Sequence, residues 1–416
     1  MKEFDLFLQP LSPLVFRSGR PFGEADAGGG ESGLCLPLPA TLAGTLRAAW
    51  CDAMGHTPRD QDWQLNRIDV LGPLRCAAHS LGRRVHYLPA PADARLERPL
   101  VPGGPAMPRR LLPVDPVPDA GCDLPAGLMP MRPPPHHQPL DTVPPWWRAE
   151  DVAAWLAAPD APAGWLGRTL PDLPQVRRTH TAVDGNRQAR AGSLYLTMGV
   201  DFTSARPATG RQGLWARVRV GRKDAAACKA MDKAIASGMS SGVFGRSWRL
   251  GADGGAAFVE ALPDGTAGPD QPFAALAEAL DKCKCPPGTR IRMMLLTPAC
   301  YARNGWYPDG LAPPAPVACD QPLEGRLAGM PPGWSLRLLS AAVGPYVPLG
   351  RLKASSLRGR QPVSGLQRLA PAGSVYILQV VKQGPPFKWA DLQLRSSCRA
   401  EYARDGFGLS VYALHP

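Results

Sequence analysis

Between Glu324 and Asp391 the chain carries no acidic residue, yet it places nine cations there: Arg326, Arg337, Arg351, Lys353, Arg358, Arg360, Arg368, Lys382 and Lys388. Gly344, Gly350, Gly359, Gly365 and Gly373 are interspersed with them, as are Ser355, Ser356 and Ser364. Guanidinium forks match phosphate oxygens, and glycine lets backbone N–H groups approach an anion without a side chain in the way. The pattern suits a polyanion; the plainer alternative is a solvated basic loop. A second cluster is Arg177-Arg178-Thr179-His180-Thr181, with Asp184, Arg187 and Arg190 behind it. It reads as an RNA-facing strand entrance with His180 as a contact or a general base, or else as surface arginines and a turn-capping histidine. One histidine without a visible partner is a weak acid–base signal. A third cluster, Arg17-Ser18-Gly19-Arg20-Pro21-Phe22-Gly23, sets two arginines about a glycine turn, with a purely structural turn as the alternative.

Other chemistry is absent from the sequence. There is no GxxxxGK[ST] phosphate loop, no HExxH zinc motif and no GxSxG nucleophile elbow. The seven histidines do not fall at ligand spacing, and the ten cysteines are scattered, with Cys283 and Cys285 the only tight pair. No metal and no cofactor is expected, and the chain does not read as an enzyme. The charge balance points elsewhere. Over 416 residues, 47 Lys and Arg outnumber 35 Asp and Glu, for a formal charge of +12. That excess favours nucleic acid first and an anionic membrane second. The opening residues carry Glu3, Asp5 and Pro10, unlike a signal peptide, and no apolar run approaches the roughly 20 residues of a membrane span. A cytoplasmic protein is expected.

The elements that would position these clusters interleave strands, helices and glycine loops. Residues 2–9 alternate, with Phe4, Leu6 and Leu8 on one face, as in a half-buried strand. Leu42, Leu46, Ala49, Trp50 and Ala53 recur at helical spacing behind Pro39. Helices are also expected at 224–237 and 272–283, and strands at 193–200, 213–220, 290–297, 335–343, 374–381 and 408–414. Residues 88–175 hold 21 of the 49 prolines and should be mostly extended loop, with one short helix at 150–158. That stretch is either a surface insertion or an arm folding over a partner. Too few helices follow the strands for a doubly wound sheet, and small α+β units of the ferredoxin-like type fit better.

Three blocks together carry a resemblance to a known family. The first runs Pro10-Leu-Ser-Pro-Leu-Val-Phe-Arg17-Ser-Gly-Arg20-Pro-Phe-Gly23 and then Leu36-Pro-Leu-Pro-Ala-Thr41-Leu-Ala-Gly44-Thr-Leu-Arg47. The second is Arg178-Thr-His180-Thr-Ala-Val-Asp184 with Ala191-Gly192-Ser-Leu-Tyr195. The third is Gln367-Arg368-Leu-Ala-Pro371-Ala-Gly373-Ser374-Val-Tyr376 with Gly406-Phe-Gly408. In this order they resemble the RAMP-superfamily subunit of type III-B (Cmr) CRISPR effector complexes that binds the 5′ handle of the crRNA. An arginine that the family usually carries after a paired glycine is missing from Gly251-Ala-Asp253-Gly254-Gly255.

The resemblance implies two ferredoxin-like (RRM-like) domains, expected as 1–205 with the Pro-rich insertion 88–175, and 206–416 with the basic Gly-rich loop 344–373. It implies a non-catalytic, antiviral RNA-binding role. Its partners would be the crRNA 5′ handle, a large polymerase/cyclase-type subunit and backbone RAMP subunits, with target RNA met only indirectly and no membrane. The candidate RNA-binding residues are Arg17, Arg20, Arg47, Arg177, Arg178, His180, Arg351, Lys353, Ser355, Ser356, Arg358, Gly359, Arg360 and Arg368. The alternative within the superfamily is an endoribonuclease that processes CRISPR transcripts, with His180 activating a 2′-hydroxyl; a third reading is a relative from another type III subtype.

Overall fold

A computed structural model describes residues 2–17, 33–53, 68–79, 83–97, 106–115, 124–125, 127–133, 139–141, 143–158, 164–204, 210–220, 245–263, 265–302, 305–311, 322–351 and 364–415. The fold is mixed α+β, with strands far outnumbering helices among the described residues. Two antiparallel sheets form its frame. The first runs, edge to edge, Trp146–Arg148, Arg84–Pro89, Ile68–Ala78, Arg211–Val220, Lys2–Pro10, Ala256–Ala261 and Arg246–Arg249. The second runs Glu324–Gly325, Ser335–Ala342, Val375–Lys382, Arg290–Leu295, Leu409–Leu414 and Arg395–Ser396.

The four central strands of each sheet share one order. Numbered by sequence within their sheet, they lie 2-3-1-4, all antiparallel, as Ile68–Ala78, Arg211–Val220, Lys2–Pro10 and Ala256–Ala261 in the first. In the second they are Ser335–Ala342, Val375–Lys382, Arg290–Leu295 and Leu409–Leu414. Strand Arg211–Val220, which lies beyond the boundary expected between 205 and 206, pairs with Lys2–Pro10, and Ala256–Ala261 pairs with the other edge of Lys2–Pro10.

Lys2–Pro10 is also covered on both faces rather than half-buried. Phe4, Leu6 and Leu8 pack beneath helix Pro39–Ala53 with its Leu42, Leu46, Ala49 and Trp50. Phe7, on the opposite face, is buried against Trp215 and Trp147. The acids between them are matched across the strand pair. Asp5 lies opposite Arg217 and Glu3 opposite Arg219, with Oδ1–Nε 2.6 Å and Oε1–Nε 2.7 Å.

What covers the Phe7 face is the proline-rich stretch itself. Helix Ala149–Ala157, one residue ahead of the expected 150–158, inserts Val152, Trp155 and Leu156 between the two sheets, beside Trp147 and Trp165. Met294, Val375, Ile377 and Val411 of the second sheet close the same core. The short helix thus stands where it was expected, and what needs correction for these residues is the reading of the stretch as a surface insertion. Proline withdraws ladder donors, but short pairings such as Ala94–Glu97 with Met107–Arg110 avoid the need for long ladders. Buried tryptophans supply the apolar area. The helix expected at 224–237 lies outside the described residues.

Candidate nucleic-acid interface

Each sheet projects a hairpin from the same topological place, the connection between its second and third central strands. In the first sheet, Gln175–Val183 pairs with Ala189–Val200. In the second, Val347–Arg351 pairs with Ser364–Leu369. These two hairpins carry the second cluster and the flanks of the acid-free loop.

Asp184 shapes the tip of the first hairpin. Its Oδ1 accepts from the backbone N–H of Asn186 (2.8 Å) and of Gln188 (2.9 Å), while Arg187 takes a positive φ of 63°. The strands alternate in exposure. Arg177, Thr179 and Thr181 face solvent, whereas Val176, Arg178 and His180 are half-buried. Towards the tip, Val183 and Leu194 are 63% and 60% exposed, an apolar end to an otherwise polar ribbon. His180 lies opposite Tyr195 in register and stacks on it, with ring centroids 5.0 Å apart and planes 12° apart. Its Nε2 is 2.8 Å from Thr197 Oγ1 and 3.7 Å from Asp253 Oδ2.

The foot of this hairpin continues into a short strand, Leu14–Val15, which pairs with Gly199 and Val200. Arg17 follows that strand, and its Nη2 is 3.4 Å from Asp253 Oδ1. The structure thus brings Arg17 and His180 together through Asp253, which the sequence did not single out as functional, while Arg178 lies two residues before His180 on the same half-buried side of the strand. The Gly251–Gly255 block drew notice only for the arginine missing after its paired glycine, and Asp253 lies just ahead of that pair.

The second hairpin is rooted by a bridge between Ala370 and Ala299, with N–H···O distances of 2.8 and 2.9 Å. Arg368 lies over the exposed Tyr346 ring, 5.0 Å from its centroid. Each hairpin therefore sets a tyrosine ring against a nitrogen-bearing side chain, an arrangement on which an unstacked base can lie. Arg351 ends the strand Val347–Arg351. Arg20, Lys353, Ser355, Ser356, Arg358, Gly359 and Arg360 lie outside the described residues.

Arg47 stands apart from both hairpins. Its Nη1 is 2.5 Å from Asp405 Oδ1, and its Nη2 donates to the carbonyls of Ile68 (3.1 Å) and Arg404 (3.0 Å). It bridges helix Pro39–Ala53 to the segment before the last strand, a tethering geometry rather than a phosphate-facing one.

Two cavities flank the hairpin roots. One, of about 380 Å³, is walled by Leu36, Leu38, Pro73, Trp146, Val347 and Pro371. Its Cys35 thiol is pushed up to about 11, chiefly by burial and then by Asp172. Nothing in that wall would hold a phosphate. The other, of about 340 Å³ beside Gly344, has Trp306, Met129 and Met131 in its wall and Arg95 as its cation. Among the described residues no three His, Cys, Asp or Glu gather as a metal site, and no helix is long and apolar enough to cross a membrane.

Comparison with known proteins gives the chain its family. A family model described as CRISPR-associated protein (Cas_Cmr3) matches residues 6–413. The chain belongs to this Cas_Cmr3 family of CRISPR-associated proteins. Among solved structures, it is similar to a chain of the type III-B Cmr-beta complex bound to cognate target RNA and AMPPnP, at 12% identity and a TM-score of 0.40, covering 90% of this chain and 86% of that one. The same complex bound to cognate target RNA gives the same values. No curated protein matches the chain.

Proposed function

We propose that this Cas_Cmr3-family protein is a non-catalytic RNA-binding subunit of a type III-B CRISPR effector complex. In this reading it grips the 5′ handle of the crRNA and contacts the large polymerase/cyclase-type subunit and the backbone RAMP subunits in the cytoplasm. Each half is then a ferredoxin-like unit, which the shared 2-3-1-4 strand order supports. The observation that carries the proposal is the pair of hairpins at equivalent positions, each with arginines and a ring beside them. A single-stranded handle is held by phosphate contacts and stacking, and that requires cations and rings but no catalytic constellation.

The test is a titration of the full chain with a labelled single-stranded RNA at increasing salt. Affinity should fall with a log–log slope of about −0.7 for each phosphate contact. Binding that ignores salt would remove the electrostatic premise.

A second reading, RNA processing by His180, draws on its stacking with Tyr195, since a histidine and a tyrosine side by side could share acid–base work. In the proposed reading, the purified chain leaves a repeat-containing transcript intact with or without divalent metal. Cleavage lost in His180→Ala would favour the nuclease.

A further inference from the structure

We infer that Asp253 is a positioning residue whose carboxylate holds Arg17 and His180 side by side as one phosphate-facing pair. The inference rests on the RNA-binding reading above. One carboxylate oxygen serves each partner: Oδ1 lies 3.4 Å from Arg17 Nη2, and Oδ2 lies 3.7 Å from His180 Nε2. Arg17 and His180 are 45% and 28% exposed against 19% for Asp253, so the carboxylate backs the pair from beneath rather than covering it.

Three remote segments meet at this point, and the strand Leu14–Val15 is their hub. On one edge Val15 pairs with Gly199 at the foot of the first hairpin. On the other, its carbonyl accepts from the N–H of Ala252 at 2.9 Å. Gly251 makes that approach possible: at φ +80° it brings its backbone so close that a Cβ would sit 2.6 Å from the Val15 oxygen. The Leu250–Gly255 turn is closed by Leu250 N–H to the Gly255 carbonyl at 2.9 Å. His180 is fixed from its own side by Thr197 and Tyr195. The carboxylate therefore sits on a stapled turn between two side chains carried by other elements.

An acid beside a polyanion invites a simple Coulomb expectation, that removing it tightens binding. Positioning predicts the reverse. Asp253 has a φ of 54°, a conformation that asparagine tolerates as well as aspartate, so Asp253→Asn removes the charge and keeps the turn.

The experiment measures binding of a labelled single-stranded RNA oligonucleotide to the full chain at fixed low salt. Asp253→Asn should weaken binding by about two- to fivefold, the range in which exposed ion pairs act. Asp253→Glu, which keeps the carboxylate, should retain more affinity than the asparagine variant. Arg17→Ala and His180→Ala should each cost less in the Asp253→Asn background than alone, because the pair is already loosened. A turn that serves folding alone would not produce that coupling. Binding unchanged or tightened in Asp253→Asn, or losses that simply add, would overturn the inference while leaving RNA binding in place. A wild-type chain that holds no RNA would overturn the RNA-binding reading, and this inference with it.

Discussion

The Asp93 carboxylate faces the Arg292 guanidinium 3.7 Å away, and both side chains are wholly shielded from solvent. Asp93 comes from the proline-rich stretch and Arg292 from the second sheet. Arg110, also buried, stands 3.5 Å from the same carboxylate, over the Trp155 ring. Trp155 Nε1 donates to Asp93 Oδ1 at 3.0 Å. Burial pulls the Arg292 pKa down and Asp93 pulls it back up.

Removing Asp93 would leave two buried cations without their counter-charge. Asp93→Asn should therefore cost about 3–5 kcal/mol of stability. Chemical unfolding checks this, and a loss below about 1 kcal/mol would mean that the ion cluster does not hold the insertion in place.

Arg47→Ala should act on folding. The side chain is largely buried and makes charge-assisted bonds to Asp405 and to two carbonyls. Truncation should cost roughly 1.5–3 kcal/mol, and RNA affinity, measured where the variant is folded, should stay close to wild type. Lost affinity at unchanged stability would return Arg47 to the RNA-binding set.

The acid-free loop makes the opposite prediction. Changing Arg351, Lys353, Arg358 and Arg360 together to Ala should weaken RNA retention by several kcal/mol, at roughly 1 kcal/mol per charge-assisted contact, and leave the unfolding midpoint unmoved. The control must avoid Arg110, whose burial would confound it, and Arg109, which pairs with the buried Glu97; Lys282 and Lys284 are suitable exposed cations. Equal losses in loop variant and control would show that net charge, not this loop, governs binding.

Acid should loosen the fold through His86. The ring is buried edge-on to Trp215, and burial lowers its pKa to about 4, with Arg217 and Arg84 adding to the effect against Asp270. Because the folded-state value lies below the unfolded one, the unfolded chain takes up the proton first. This stability is present above about pH 6.5 and is lost as pH falls towards 4, by about 3 kcal/mol in total. Unfolding free energy measured across that window should rise with pH, and His86→Asn should flatten the rise.

The regular elements were legible where one face decides the pattern. Helix Pro39–Ala53 shows its apolar stripe openly, and Lys2–Pro10 alternates as a strand should. Ile68–Ala78 escaped because Gly72 and Pro73 interrupt its apolar run, although the strand passes through them. Val347–Arg351 and Ser364–Leu369 hide for a related reason, with Pro348, Gly350 and Gly365 in their short spans. The membership of the first sheet was illegible because its second-to-third connection spans residues 79–210, so sequence neighbours are not sheet neighbours. In the candidate site, residue types pointed to Arg177, Arg178 and His180, but the link from His180 to Arg17 runs through Asp253, 236 residues away from Arg17. No local pattern encodes a contact of that span.

The core shared by both sheets also governs what the growing chain can do during its synthesis. Trp147, Trp155 and Trp165 can cover the Phe7 face early, but the same cluster is closed from its other side by Met294, Ile377, Val411 and Ala413, so that layer stays open on its outer side until about 400 residues after Phe7 have been made. At ordinary elongation rates that is roughly 20 to 80 s of partly covered tryptophan surface. Residues 2–261 can pair their strands and lay the proline-rich stretch over them early, yet they cannot close that core alone. Native stability thus arrives with the last strand, and a ribosome stalled short of it would present a sticky, half-covered sheet to its surroundings.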